Sequence, residues 1–420
     1  MTHPRRGGVV FLMVLLSIMT YIDRIIIAIA GPGIMKEFAV SETQMGTIYS
    51  AYLLSYSIMM IPGGWFTDVS GPRLSLAVMA FGSAIFTGLT ALGGSPGLGM
   101  YIGIVPAFLA LRLLMGVVAA PTYPASGKMN ANWNPPSARA RVWGWIAAGA
   151  GIGGACTPLM FSWMRAHFGW RSAFGLAAGF SAILACIWYW YVRDYPEDQT
   201  HAPESPRPRV PTPWRALFTN RDLMLLTAGY FTVNYFEYIF FYWLYYYFGQ
   251  IRKMGMEQSA VYTTLMWLTW VLLSPVGGWA SDRLGASFGL QNVRRIVVVG
   301  GLGISAVLVY IGTNVTATFP TVVLLCLALG FAAGTDGPYW AAAIDASGKH
   351  SGTGSAIFNT GGNLGGMLAP TLTPLIAARL GWSGGLYAGG FVALAGLLVW
   401  FFIGAAPAVR TPLRNTIALD

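Results

Sequence analysis

The stretch GGWFTDVSGPR, Gly63–Arg73, has a counterpart in the second half of the chain, GGWASDRLG, Gly277–Gly285. Both read G-G-W-x-x-D-x-x-G, and matching positions stand 214 residues apart. Each follows an apolar run of about 20 residues, the length that crosses a hydrocarbon core of about 30 Å. An internal repeat placed in this way predicts two halves of similar build, with a ligand site between them near the membrane midplane.

Composition agrees with a membrane protein. Of 420 residues, 55% are apolar and 10% charged, with a mean hydropathy of +0.58. Apolar runs occur at roughly 9–30, 43–66, 74–93, 99–122, 142–163, 171–192, 223–248, 258–281, 295–312, 319–344, 353–378 and 384–404. A segment rich in proline and charge, 193–222, cannot form a packed core and separates the runs six and six. The expectation is an all-α membrane protein of twelve transmembrane helices in two pseudo-symmetric six-helix bundles, 1–192 and 223–420, joined by a cytoplasmic linker, 193–222. Arg5 and Arg6 precede a long first run without an A-x-A-like ending, which reads as a retained helix rather than a signal peptide. Cys156, Cys186 and Cys326 fall in apolar runs and suggest neither a disulfide nor a metal site.

With both termini on one side, 17 of the 25 Lys and Arg residues fall on that side, 6 on the other and two within helices. The bias places both termini in the cytoplasm and the chain, as a multi-pass protein, in the cytoplasmic membrane; a monomer is expected. The net charge of +10 is then a matter of topology, and no nucleic-acid partner is needed.

Ionisable groups inside spans cost several kcal/mol unless paired or hydrated, so they mark function. Five qualify: Asp23, Arg24, Arg112, Glu237 and Asp336. Asp23 and Arg24 adjoin and point about 100° apart on a helix, so one can face a cavity and the other a neighbouring helix. Arg112 offers a planar fork suited to a carboxylate. Two intramembrane arginines imply an anionic ligand; the alternative is that each pairs with a fixed carboxylate such as Asp23 or Glu237. Glu237 stands among six tyrosines and a tryptophan in 234–249, walls that suit a small or partly apolar carboxylate. Asp336 lies among glycines and a proline, as a cavity carboxylate or as support for an opened helix. Tyr49, Tyr52 and Tyr56 share one helix face. No nucleophile, metal or phosphate-loop arrangement appears, so neither an enzyme nor a cofactor is expected.

The pattern Gly64-x-x-x-Asp68-x-x-Gly71-x-Arg73, with its echo at Gly278, Asp282 and Gly285, resembles the loop motif of the major facilitator superfamily. The resemblance implies a conformational latch made of Gly64, Asp68, Gly71, Arg73 and Asp282, holding the cytoplasmic ends of the bundles together in the outward-open state. Four further motifs resemble the anion:cation symporter family, which includes bacterial sugar-acid transporters and vesicular glutamate and sialic acid transporters. They are T-Y-I-D-R (Thr20 to Arg24), Y-x-x-x-x-x-P-G-G-W (Tyr56 to Trp65), R-x-x-x-G-x-x-x-A-P-x-x-P (Arg112 to Pro124) and F-N-x-x-G-N-x-x-G (Phe358 to Gly366). By that resemblance Arg24, Arg112, Tyr56, Asn359 and Asn363 contact substrate, and Asp23 is a coupling carboxylate.

The chain departs from its relatives at Ala119, where the family commonly carries a protonatable Glu, and Glu237 is a candidate to replace it. The stretch GAGIGGACTP, Gly149 to Pro158, lacks the amide that sugar-acid carriers use to hold hydroxyls, which disfavours a polyhydroxylated substrate. The expected function is secondary active transport of a small organic anion with protons by alternating access. Exchange or uniport is the alternative favoured by Ala119. A multidrug exporter or a non-transporting receptor fits less well, since the arginines disfavour a cation cavity.

Overall fold

Apolar segments in lipid must satisfy every backbone N–H and C=O internally, which a helix does. The computed structural model describes residues 5–94, 96–134, 136–196, 214–348 and 351–404, and among these it contains no strand. Among the described residues, twelve helical spans follow one another. The first three are α1 (Arg6–Phe38), α2 (Glu42–Ser70) and α3 (Pro72–Thr90). α4 runs as Ile104–Ala119 and, after a break, Thr122–Trp133. α5 and α6 share the stretch Pro136–Tyr191, folded at Gly169. α7 is Arg221–Tyr246, extended by the π-helical turn Tyr247–Ile251. α8 (Met256–Phe288) and α9 (Leu290–Asn314) precede α10, again in two segments, Thr318–Ala333 and Asp336–Ser347. α11 and α12 share Ser351–Val399, folded at Gly381.

Local chemistry sets the boundaries. Ser41 caps α2, accepting from the Gln44 N–H at 3.2 Å while the Gln44 side chain accepts from the Ser41 N–H at 2.9 Å. Gly71 ends α2 at φ +84°, a conformation that L side chains rarely adopt. A Cβ there would fall 2.8 Å from Asp194 Oδ1, the same oxygen that accepts from the Arg73 N–H at 2.9 Å. Gly71 is therefore required by the turn itself.

The 214-residue repeat is expressed in packing. A Cβ on Gly63 would lie 3.0 Å from the Pro121 nitrogen and 3.2 Å from the Ala120 carbonyl carbon. One on Gly277 would lie 1.8 Å from the Gly334 carbonyl oxygen. Gly63 and Gly277 are equivalent positions, as are Ala120 and Gly334. Hence α2 crosses α4, and α8 crosses α10, at the same place with backbones in contact, as small residues at helix interfaces allow. Both α4 and α10 are interrupted at that crossing, where α4 leaves its helix after Ala119 and α10 after Ala333.

The two halves meet along α1 with α7, α2 with α11 and α5 with α8. They are fastened at the end away from the termini. Ser50 donates to the Met367 carbonyl at 2.6 Å and lies 2.8 Å from Thr371 Oγ1. Tyr49 stacks on Tyr242 with centroids 5.1 Å apart, and Tyr246 donates to Glu42. A Cβ on Gly46 would stand 2.1 Å from the Pro370 carbonyl oxygen. Between α5 and α8, Thr264 donates to the Ala155 carbonyl at 2.9 Å. Nearer the terminal end, the described hydrogen bond between the halves is a weak one, from Asn359 Nδ2 to Met60 Sδ at 3.9 Å.

Candidate site between the two bundles

Equivalent positions of α1 and α7 face each other at the centre. Arg24, 6% exposed, donates through Nη2 to the Tyr238 hydroxyl, 214 residues further on. Its guanidinium carbon also lies 5.1 Å from the centroid of Tyr238, 5.5 Å from Tyr52, 5.6 Å from Tyr21 and 5.9 Å from Tyr56. Tyr21 meets Trp267 edge to face at 6.2 Å, and Trp267 stacks on Phe241 at 4.3 Å. Among the described residues no carboxylate forms an ion pair with Arg24. Ring faces and one phenol stabilise its charge, in an aromatic chamber that both halves line.

Asp23 turns the other way, as the 100° step between neighbours requires. Its Oδ2 accepts from Ser181 of α6 at 3.1 Å, and its Oδ1 is buried without a hydrogen-bond partner. Arg112, 1% exposed, does not neutralise that carboxylate by an ion pair. Its Nη2 donates to the Arg24 carbonyl at 3.1 Å and its Nη1 to the Asp23 carbonyl at 3.5 Å, with the Tyr52 ring 5.0 Å away. Arg112 therefore fastens α4 to the main chain of α1, one layer behind the chamber. Of the residues expected to contact substrate, the structure brings Arg24 and Tyr56 together. Asn359 and Asn363 sit on α11, joined by a bond from Asn363 Nδ2 to the Asn359 carbonyl at 3.0 Å.

The second half holds two carboxylates. Glu237, 3% exposed, accepts from Trp270 Nε1 at 3.0 Å. Asp336 opens the second segment of α10 beside the Tyr230 hydroxyl, and its Oδ1 is buried without a partner. Trp340 Nε1 donates to Tyr230 Oη at 3.1 Å. Reading charged residues alone misses Tyr238, Tyr52, Trp270 and Tyr230, because neutral aromatics in a span look like packing. The repeat carries the signal: counting 214 residues on from Asp23, Arg24 and Tyr56 reaches Glu237, Tyr238 and Trp270.

The motif loop makes its contacts within the first half. Asp68 accepts from Lys128 of α4 at 2.9 Å, and Lys128 also reaches the Thr67 and Asp68 carbonyls at 3.2 and 3.3 Å. Arg73 donates to the Tyr189 carbonyl at 2.6 Å and lies 4.7 Å over the Tyr189 ring. A Cβ on Gly64 would lie 3.8 Å from Pro124 of α4. The side chain of Asp282 lies outside the described residues.

Two six-helix bundles with a charged aromatic chamber at their interface define a class of polytopic helical membrane protein. The chain belongs to the Major Facilitator Superfamily, whose family model matches residues 13–335 and, in a second overlapping match, 263–417. It is 29% identical over 408 residues to the hexuronate transporter of Bacillus subtilis, covering 94% of each chain. It is 27% identical over 390 residues to a probable sulfoacetate transporter of Cupriavidus necator, covering 90% of this chain and 88% of that one. The D-galactonate transporter of Escherichia coli is 27% identical over 425 residues, with 95% and 96% covered. Among solved structures, a bacterial homologue of the human lysosomal transporter Spinster, inward-facing and unoccupied, superimposes with a TM-score of 0.82 at 15% identity. That match covers 96% of this chain and 98% of the other, and it establishes the fold.

Proposed function

We propose that this protein is a secondary transporter that moves a small organic anion across the cytoplasmic membrane by alternating access, with protons as the coupling ion. The observation that carries the reading is Arg24: a buried guanidinium without a carboxylate partner among the described residues, on the interface of the halves, bonded to the opposite half through Tyr238. An anion at Arg24 competes for that bond, so binding is felt by both halves at once. Relatives named as hexuronate and D-galactonate transporters, and one named as a probable sulfoacetate transporter, support an organic acid as the substrate class. Because Arg112 is engaged with main-chain carbonyls, one guanidinium faces the chamber, and the aromatic walls favour a monoanion with a partly apolar body. With the termini in the cytoplasm, the fastened end of the molecule is the outer one, which supports an inward-facing state. Tyr56 and the α11 asparagines complete the substrate contacts, and the Asp68 loop acts as a latch when the inner ends close. Exchange without protons is the second reading, favoured by Ala119 and by the turn of Asp23 toward α6.

The test is ligand stabilisation followed by transport. Purified protein is screened against carboxylates and sulfonates by thermal shift, then reconstituted for uptake of radiolabelled hits under an imposed pH gradient. Stabilisation by organic anions that vanishes in Arg24→Ala is expected. Cations that stabilise while anions do not, or anion stabilisation undiminished in Arg24→Ala, would refute the site.

A further inference from the structure

The second half carries a cluster that the anion site does not use. Tyr230 and Glu237 are seven residues apart on α7, so they share one face about two turns from each other. Asp336 and Trp340 are four apart on α10 and share a face as well. These faces meet: Trp340 donates to Tyr230 at 3.1 Å, Asp336 lies beside the Tyr230 hydroxyl, and Glu237 and Asp336 are close enough to feel each other's charge. From α8, Trp270 closes the cluster with its indole N–H on Glu237. The ionisable neighbours are phenols, Tyr230 and Tyr238 from α7 and Tyr339 from α10; α1 contributes Arg24 through its bond to Tyr238. α8 offers indoles, and α11 offers Phe358 against Tyr230. Among the described residues, no lysine, arginine or histidine forms an ion pair with either carboxylate.

Two ionised carboxylates cannot stand together in a membrane interior without a cation or a proton between them. The surroundings differ enough to assign that proton. Tyr230 accepts from Trp340, which leaves its own O–H free to donate to Asp336. Asp336 also sits in the first turn of a twelve-residue helix, whose positive end favours a negative charge. Glu237 has one indole donor and almost no exposure.

We propose that Glu237 and Asp336 form a two-carboxylate proton site in the second half, in which Asp336 remains the anion and Glu237 binds and releases the transported proton. The coupling role rests on the transport reading above; the site itself does not. Glu237 occupies the position equivalent to Asp23, so the second half carries the titrating group for which the repeat already has a place. On protonation a carboxylate oxygen of Glu237 gains a hydrogen and the cluster falls from two negative charges to one. On release the hydrogen leaves as a proton and the repulsion returns, which favours the state in which water or a cationic group can reach the pair.

The test reads the proton directly and needs no substrate. Infrared difference spectra of the full chain in lipid are recorded against bulk pH, following the C=O stretch of neutral carboxyl groups. Glu237→Gln is expected to remove one titrating component. Asp336→Asn is expected to move the midpoint of that component at least one pH unit toward acid, since the repelling neighbour is gone. A Glu237→Gln spectrum that superimposes on wild type, or an unmoved midpoint in Asp336→Asn, overturns the site. Transport then separates the two claims, with sulfoacetate, D-galactonate and a hexuronate as probes in proteoliposomes. Glu237→Gln should retain counterflow and lose accumulation driven by a pH gradient. If it still accumulates a probe in step with pH, the coupling role is wrong even where the infrared result holds. If wild type moves no organic anion while the infrared result holds, the transport reading fails and the shared-proton site stands.

Discussion

Arg24 and Tyr238 occupy equivalent positions of the two halves, 214 residues apart, and are hydrogen-bonded to each other. A contact between equivalent positions lies near the axis that relates the halves, where substrate is expected in this architecture. Arg24→Ala is therefore predicted to weaken anion binding about 100-fold, on the order of 3 kcal/mol, the scale of lost charge-assisted bonds. Arg24→Lys recovers part of the charge and none of the fork. Tyr238→Phe, which removes only the phenol bond, costs less than about tenfold by the same scale. Calorimetric titration of each variant checks the order; equal losses for Tyr238→Phe and Arg24→Ala contradict it.

Arg112 is predicted to behave differently, because its donors serve the carbonyls of Asp23 and Arg24. Arg112→Ala removes the side-chain donors that tie α4 to the main chain of α1, leaves a void behind them and costs about 1–3 kcal/mol of stability. Arg24→Ala leaves the thermal midpoint near or above that of wild type, since it removes a buried charge that no described carboxylate neutralises. Melting curves in detergent without ligand separate the two: a lower midpoint in Arg24→Ala than in Arg112→Ala reverses the assignment.

How much of this was legible beforehand follows from what kind of information each feature carries. The spans are a matter of length and hydropathy, and the halves declared themselves through Gly63 and Gly277, whose backbones must approach α4 and α10 closely. The direction of a side chain is not written that way. That Asp23 turns to Ser181, and that Arg112 binds main chain rather than ligand, depends on how far α4 and α6 approach α1, which no local pattern states. Tyr49, Tyr52 and Tyr56 share one helix face in the sequence, which does not say that Tyr52 lies against both arginines or that Tyr49 stacks across the interface.

The seal at the end away from the termini, the outer end in the proposed orientation, gives a prediction from a single glycine. No side chain larger than hydrogen fits at Gly46 while α2 and α11 stay together, because a Cβ there would stand 2.1 Å from backbone oxygen. Gly46→Val should hold the outer ends apart, in a state open on that side. Ser50, 9% exposed under the seal, supplies the reporter. A Ser50→Cys thiol is expected to react at least tenfold faster with an impermeant reagent added outside when Gly46→Val is also present. Equal rates in the two backgrounds would show that this contact is not the gate.

The motif loop supplies the last prediction. In the present state Asp68 pairs with Lys128, its side chain 75% exposed, and such pairs contribute about 0–1 kcal/mol once solvent screening is counted. Asp68→Asn should therefore leave thermal stability within about 1 kcal/mol of wild type. If the loop latches the inner ends together in the opposite state, the same change removes a contact made only there. Turnover then falls more than substrate affinity, and labelling of inner-face cysteines rises as the population shifts inward. Lys128→Gln breaks the same pair from the other side and acts as the control. Should Lys128→Gln slow turnover and raise labelling as much as Asp68→Asn does, the effect runs through the α2–α4 pair. A fall confined to Asp68→Asn assigns the carboxylate to a partner in the other half.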